Sequence, residues 1–282
     1  MIAVTGATGA LGGRVAAGLA AAGAEQRLVV RDPARAPALP GAGVGVAAYG
    51  DGPALAAALD GADTLFLVSA AESADRIREH TSTVDAAVAA GIRRIVYTSF
   101  LGASPDATFT LARDHWHTEQ HVRAAGVDFT FLRDNLYLDM FPLFTGPDGV
   151  IRGPAGDGRA GAVSRDDIAA VAVAVLLDPA AHAGATYDLT GPESISLDEA
   201  AAALTEAAGR PIRYHAETLD EAYASRAGYG APDWEVAGWV TSYAAIAAGE
   251  LDVVTSAVTD LTGRRPASLR EFLAAHPEAL RA

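Results

Sequence analysis

The stretch from Ile2 to Gly13, IAVTGATGALGG, constrains this chain more than any other. Its first residues read as a short buried strand. Leu11, Val15 and Leu19 then recur at helical spacing until Gly23 ends the pattern. Gly6 lets the chain turn sharply out of the strand. Gly9 leaves room for an anion to approach the backbone, and Gly12 lets the helix pack closely on the sheet. The amides of the helix N-terminus then face that anion. The spacing is G-x-x-G-x-x-G rather than G-x-G-x-x-G, and a bare strand-to-helix turn is the competing reading. Its place between a strand and an amphipathic helix is the context that dinucleotide binding requires.

The alternation continues through the first half. Strands are expected at RLVV (27–30), TLFLVS (64–69), RRIVYTS (93–99) and DFTFLR (128–133). Helices are expected around LAAAL (55–59), along a stripe of Ile77, Thr81, Val84 and Val88 that stops at Gly91, and from about 110 to 125. Strands separated by helices predict an α/β fold, a Rossmann-type doubly wound parallel sheet covered on both faces.

Beyond Asn135 the rhythm changes. MFPLFTGPDGVIRGPAGDGRAG is rich in Gly and Pro and reads as loops with one short hairpin. A helix capped by Ser164 or Asp166 spans 164–178, ATYDLTG (185–191) is a strand, and SLDEAAAAL opens with a capping box from Ser196 to Glu199. PIRYHAET is a strand, and the remainder, ending in SLREFLAAH, is mostly helical. This organisation predicts a dinucleotide-binding domain over 1–135, to which 164–191 return. A smaller C-terminal α/β substrate lobe is expected from 136–163 and 192–282, over the sheet's carboxyl edge, where open α/β folds bind ligands.

The second strand bears on which dinucleotide is bound. An acid at its end suits NAD ribose hydroxyls, whereas an arginine suits the NADP 2′-phosphate. This chain has Arg31, Asp32 and Arg35. Asp32 precedes Pro33 and fits the N-cap of the next turn, because Pro is favoured at the first helical position. Arg31 and Arg35 then select NADPH over NADH.

Composition narrows the partners. The net charge is −14, the basic residues are all arginine, and no basic run occurs. A nucleic-acid surface or an anionic membrane needs clustered positive charge, so neither is expected. The longest apolar run, IAAVAVAVLL (168–177), is too short to span a bilayer. The chain has no cysteine, and its start meets glycines too early for a signal peptide, so cytoplasmic residence is expected. The oligomeric state is left open between monomer and homodimer.

ARDHWHTEQH (112–121) sets three histidines on one helix. His117 and His121 are four apart, but the glutamate is misplaced for H-E-x-x-H, and no metal site is expected. At about 100° per residue, Leu111, His115, Thr118 and Val122 share the apolar stripe, while His117 and His121 point to solvent. A hydrolase triad is set aside because no G-x-S-x-G elbow occurs. Tyr137, Phe141 and Phe144 either line an aromatic substrate pocket or pack between sheet and lobe. Trp234 and Trp239 are expected in the core of the lobe.

Taken with VVRDPAR, AYGD, YTSF, LARDHWHTE, FTFLRDNLYLDMF, AGDGRAGAVSRDDIAAVA, TYDLTG and LTGRRPASLREFL, the chain resembles the NmrA-like atypical short-chain dehydrogenase/reductases over nearly its whole length. The likeness is greatest to the quinone-reductase and triphenylmethane-reductase branch. The resemblance implies NADPH contacts from Gly6, Thr8, Gly9, Leu11, Gly12, Arg31, Asp51, Ser69 and Ala70, with Thr98 and Ser99 of YTSF beside them. It implies substrate contacts from Phe100, Asn135, Tyr137, Phe141 and Phe144. The wider short-chain dehydrogenases use a Tyr-x-x-x-Lys pair as proton donor. Here that pair falls on Leu111 and His115, so an acceptor already activated for hydride is expected. His115, with a pKa near neutrality, and Tyr137 are the candidate catalytic groups. Two readings result: an NADPH-dependent reductase acting on a quinone or other conjugated small molecule, and a non-catalytic NAD(P)-binding redox sensor.

Overall fold

A computed structural model of the chain describes residues 1–281. Its first elements are β1 (Ile2–Thr5), α1 (Ala10–Ala21), β2 (Gln26–Val30), β3 (Ala42–Val46), α2 (Gly52–Leu59), β4 (Thr64–Leu67) and α3 (Arg76–Ala89). Next come β5 (Arg94–Phe100), α4 (Thr110–Ala124), β6 (Asp128–Asp134), α5 (Met140–Leu143), β7 (Val150–Gly153), β8 (Arg159–Ala160), α6 (Arg165–Leu177) and β9 (Thr186–Leu189). The chain continues with β10 (Ile195–Ser196), α7 (Leu197–Ala208), β11 (Arg213–Ala216), α8 (Leu219–Arg226), α9 (Asp233–Ala247), α10 (Ala257–Thr262) and α11 (Leu269–Ala275).

Seven strands form one parallel sheet in the order β3-β2-β1-β4-β5-β6-β9. The order reverses between β1 and β4, which makes their carboxyl ends the topological switch point of the sheet. The expected doubly wound α/β architecture is therefore present. Strand β3, AGVGV, was not expected. It is an edge strand whose Val44 and Val46 are exposed, so it shows no buried apolar run.

The chain divides into two compact units. The first holds Met1–Phe100, Asp114–Arg133 and Arg165–Tyr187. Its core includes Leu59, Leu65, Leu67, Val84, Ile95 and Phe131, all fully buried. Burying an aliphatic or Phe side chain of this kind contributes about 1.5–3 kcal/mol. The expected stripe on α3 needs correction. Ile77 and Val88 are exposed, and the buried face carries Arg76, His80, Thr83, Val84 and Ala87. Apolar periodicity misses such a face because its polar members are buried by virtue of their hydrogen bonds.

The second unit holds Leu101–Arg113, Asp134–Ser164 and the chain from Asp188 onward. Strand β7 pairs in parallel with β11, and β8 pairs antiparallel with β10. The Ser196–Glu199 capping box is formed, and two more, Thr218–Glu221 and Ser268–Glu271, start α8 and α11. Trp234 and Trp239 are half-buried rather than in the core. Helix α6 begins at Arg165, so Asp166 lies within its first turn and not before it.

The glycine turn joins β1 to α1 without slack. Gly6 has φ +62°, and a Cβ on Gly12 would lie 2.3 Å from the Gly6 carbonyl oxygen. Gly12→Ala is expected to destabilise the protein by about 1–3 kcal/mol, because backbone must move to admit the methyl group. Gly23→Ala, at φ +73° with open space around it, should cost only about 1–2 kcal/mol of backbone strain. Urea unfolding of the two variants beside the parent measures the difference.

Candidate functional site

A cavity of about 470 Å³ lies at the carboxyl ends of β1, β2 and β4, wholly within the first unit. The glycine turn from Gly6 to Gly12 forms one wall, Val30 and Arg31 a second, and Val68 to Ala71 a third. Gly9 is the N-cap of α1 and caps it with no side-chain hydrogen bond, so the first amides of that helix are left to another partner. A Cβ at position 9 would lie 3.2 Å from the Gly6 carbonyl and occupy the turn. A glycine cradle, a helix N-terminus without a side-chain cap and an exposed arginine suit a phosphate-bearing dinucleotide.

Of the residues expected at the cofactor, Gly6, Thr8, Gly9, Leu11, Gly12, Arg31, Ser69 and Ala70 line this cavity. Arg35, Asp51, Thr98 and Ser99 do not line it, and the structure shows what they do instead. Asp51 caps α2, accepting from Ala54 N–H at 3.2 Å. Thr98 Oγ1 accepts from Ser69 N–H at 2.8 Å, so it supports the lining loop from beneath. Ser99, fully buried, donates to Glu119 Oε1 at 2.6 Å. Arg35 ends an exposed 3₁₀ turn, whose N-cap Asp32 accepts from Ala34 N–H at 2.9 Å. Asp32 thus has the capping role that its position before Pro33 predicted.

Sequence reading missed Tyr49. It lines the cavity, and its hydroxyl lies 2.7 Å from Thr5 Oγ1 and 2.5 Å from the Val68 carbonyl. Burial pushes the Tyr49 hydroxyl pKa above its ordinary value, so this group stays protonated and ties β1 to the end of β4. The signal for it was the AYGD motif, which carries no periodicity. Glu79, also at the cavity, lies on the polar edge of α3.

Behind Ala70 stands a buried polar cluster. Leu111, His115, Thr118 and Val122 are all buried, as the helical angles predicted, and His117 is exposed. His121 is half-buried and sits 2.7 Å from Asp85. His115 Nε2 accepts from Arg76 Nη2 at 3.0 Å, because a guanidinium only donates. Its Nδ1 therefore carries the proton and donates to the Tyr97 hydroxyl at 2.9 Å. Burial, with the neighbouring Arg76 charge, drives its pKa well below the ordinary imidazole value. The expected near-neutral titration of His115 is thus corrected: with both nitrogens engaged beside a cation, the ring stays neutral.

In the second unit, Tyr137 donates to Asp134 Oδ2 at 2.7 Å and is half-buried. Asn135 is fully buried, donating to the Leu251 carbonyl and accepting from Leu136 N–H. Phe141 is 1% exposed and packs edge-on against Phe144. Both polar ends of Asn135 and the ring of Phe141 therefore serve packing, and Phe144 and Tyr137 keep some exposed surface. Phe100 is buried in the first unit, its ring tilted against His115.

The two buried imidazoles give a pH signature. His80 has its pKa lowered to about 3, by burial first and Arg76 second, and that of His115 is lowered too. The groups facing them are Arg76, Asp114, Tyr97 and Tyr49. Unfolding restores an ordinary pKa of about 6.5, so the unfolded chain binds more protons below that pH. Their stabilisation is whole above about pH 6.5 and declines as pH falls toward the folded values. Each neutral imidazole contributes a slope of up to about 1.4 kcal/mol per pH unit. Urea unfolding between about pH 7 and about pH 5 should show stability falling with acidity, less steeply in His80→Gln.

Residues 1–231 match the NmrA-like family. The NAD(P)H azoreductase of Xenophilus azovorans is 34% identical over 284 residues, covering 99% of each chain. The NADPH-dependent quinone oxidoreductase of Escherichia coli, solved in complex with NADPH, superposes with TM-score 0.89 at 33% identity, covering 98% of this chain and 99% of that one. The triphenylmethane reductase of Citrobacter sp., complexed with NADP(H), gives TM-score 0.85 at 29% identity over 98% and 99%. The negative transcriptional regulator NmrA shares the fold at 20% identity and TM-score 0.74, a likeness of fold alone. With a strand–glycine turn–helix cavity at the switch point and a family match over most of its length, this chain belongs to the NmrA-like family.

Proposed function

We propose that this protein is an NADPH-dependent reductase that delivers hydride to a quinone or another conjugated small molecule. The observation that carries the reading is the cavity itself: a glycine cradle, the N-terminus of α1 and Arg31 converge in a chain 34% identical over its length to an NAD(P)H azoreductase. NADPH, when bound, supplies the hydride. The amides of the glycine turn and α1 take the pyrophosphate, and Arg31 takes the 2′-phosphate. Asp32 is engaged as an N-cap and does not line the cavity, whereas Arg31 does, so the charged group that the end of β2 offers the cofactor is a cation. Ser69 and Ala70 form the wall beside the cofactor.

No Tyr-x-x-x-Lys pair is present, and the His115 ring is locked neutral between Arg76 and Tyr97. The chain therefore lacks a ready proton donor of the usual kind, which suits an acceptor electrophilic enough to take hydride first, such as a quinone, azo dye or cationic dye. The aromatic Tyr137 and Phe144, within the proposed substrate lobe of 136–163 and 192–282, are assigned to that acceptor. A sensor would need only the nucleotide site, but the azoreductase and the quinone oxidoreductase, each alike over nearly its whole length, are named as reductases, and the regulator shares the fold alone. A cysteine-free reductase drawing on NADPH fits a cytoplasmic setting, with a small molecule rather than nucleic acid as partner.

Two measurements test this. NADPH oxidation followed against quinones, azo dyes, cationic dyes and enones should show turnover. With a cationic triarylmethane dye or an enone, where the hydride lands on carbon and cannot exchange with water, the transferred deuterium of a labelled cofactor should appear in the product. NADPH binding with no turnover on any acceptor would establish the sensor reading instead. Arg31→Ala should weaken NADPH about tenfold or more while NADH changes little, as expected from losing a charge-assisted bond to phosphate. Equal weakening of both would reassign Arg31 away from the 2′-phosphate.

A further inference from the structure

The backbone of Ala70 is held at both of its polar groups, one in each of the peptides that flank its Cα. Its N–H donates to His80 Nε2 at 2.8 Å, and its carbonyl accepts from Arg76 Nε at 3.0 Å. Ala70 lines the cavity; Arg76 and His80 do not, so they grip the wall from behind. The next peptide back is fixed as well, since Ser69 N–H donates to Thr98 Oγ1.

Each gripping side chain is itself held. Thr118 Oγ1 donates to the Asp114 carbonyl at 2.9 Å, which spends its only hydrogen. It must then accept from His80 Nδ1, 2.8 Å away, leaving Nε2 as the acceptor that the Ala70 amide requires. Arg76 divides its guanidinium between the Ala70 carbonyl and His115 Nε2, with the Asp114 carboxylate 3.6 Å from Nη1. Nη1 has no hydrogen-bond partner, so the arginine is not placed for the best ion pair. Arg76 and His115 are each 5% exposed, and His80 and Thr118 are fully buried.

Burying a guanidinium and two imidazoles costs more than filling the same space with aliphatic side chains. What these groups supply that Leu or Val could not is a donor and an acceptor fixed on the two peptides that flank one residue of the cavity wall. We propose that Arg76 and His80 are positioning residues for dinucleotide binding. They lock the backbone on both sides of Ala70, and His115, Tyr97 and Thr118 fix their tautomers and rotamers in turn. His115 thus serves the site by holding Arg76 and not by moving a proton. The inference rests on the dinucleotide reading of the cavity.

Replacing His80 in two ways separates the grip from packing. In His80→Gln the side-chain carbonyl reaches the place of Nε2 and still accepts from Ala70 N–H. In His80→Asn the shorter amide stays near Nδ1 and Thr118, and Ala70 loses its acceptor. NADPH binding is measured by fluorescence titration, with urea unfolding of each variant beside it. His80→Asn should lose about tenfold in NADPH affinity and His80→Gln no more than about threefold, the scale of one buried hydrogen bond. Arg76→Lys keeps the charge but cannot span Ala70 and His115 together, and should lose about tenfold as well. It decides the matter if His80→Asn fails to fold. Equal losses in the two His80 variants, or parent-like binding by His80→Asn and Arg76→Lys, would overturn the proposal. Failure of the parent to bind NADPH would instead overturn the dinucleotide reading, before any variant is compared.

Discussion

The close start of α1 against the end of β1 is the contact on which the cavity depends. Because Gly12 has no Cβ, the first turn of the helix comes up against the Gly6 carbonyl, and because Gly6 can hold φ +62° the strand can reverse into that helix at once. Gly9 at the N-cap then leaves the leading amides without a side-chain partner. An ordinary Ser or Asp cap would stabilise the helix and close the same amides to an anion. The chain forgoes that stabilisation at α1, whose N-terminus lies at the cavity.

The opposite wall is made by different means. The β4 end bears no glycine turn, and its peptides are set by side chains reaching from other elements: Thr98 from β5, His80 and Arg76 from α3, Tyr49 from the loop after β3. One wall is shaped by what its residues lack, the other by what its neighbours supply. A buried cation among neutral imidazoles also explains why His115, despite its place in the sequence, is a poor proton carrier: every proton it gained would stand beside Arg76. At His115 this chain keeps a neutral ring, and the charge beside it comes from another helix.

Much of the fold was legible. Strand–helix alternation, the glycine spacing and the Ser196–Glu199 capping box all depend on neighbours a few residues apart, which periodicity and capping rules capture. The edge strand β3 escaped because two glycines and two outward valines leave no buried run. On α3, hydrophobicity by itself ranks Ile77 as inside and Arg76 as outside. Here hydrogen bonds across 39 positions of chain, from Arg76 to His115, reverse that ranking.

The sequence alone determined the strand–turn–helix at the N-terminus, the capping role of Asp32 beside Pro33 and the inward direction of His115 on α4. Each is a local consequence of residue type and helical geometry. Only the tertiary structure decided that Thr98 and Ser99 do not line the cavity, that Asp51 caps a helix, and that His115 is held neutral. Those outcomes depend on which distant donor, acceptor or charge arrives within 3 Å or so of a side chain, and hydrogen bonds of that kind leave no periodic trace in the chain.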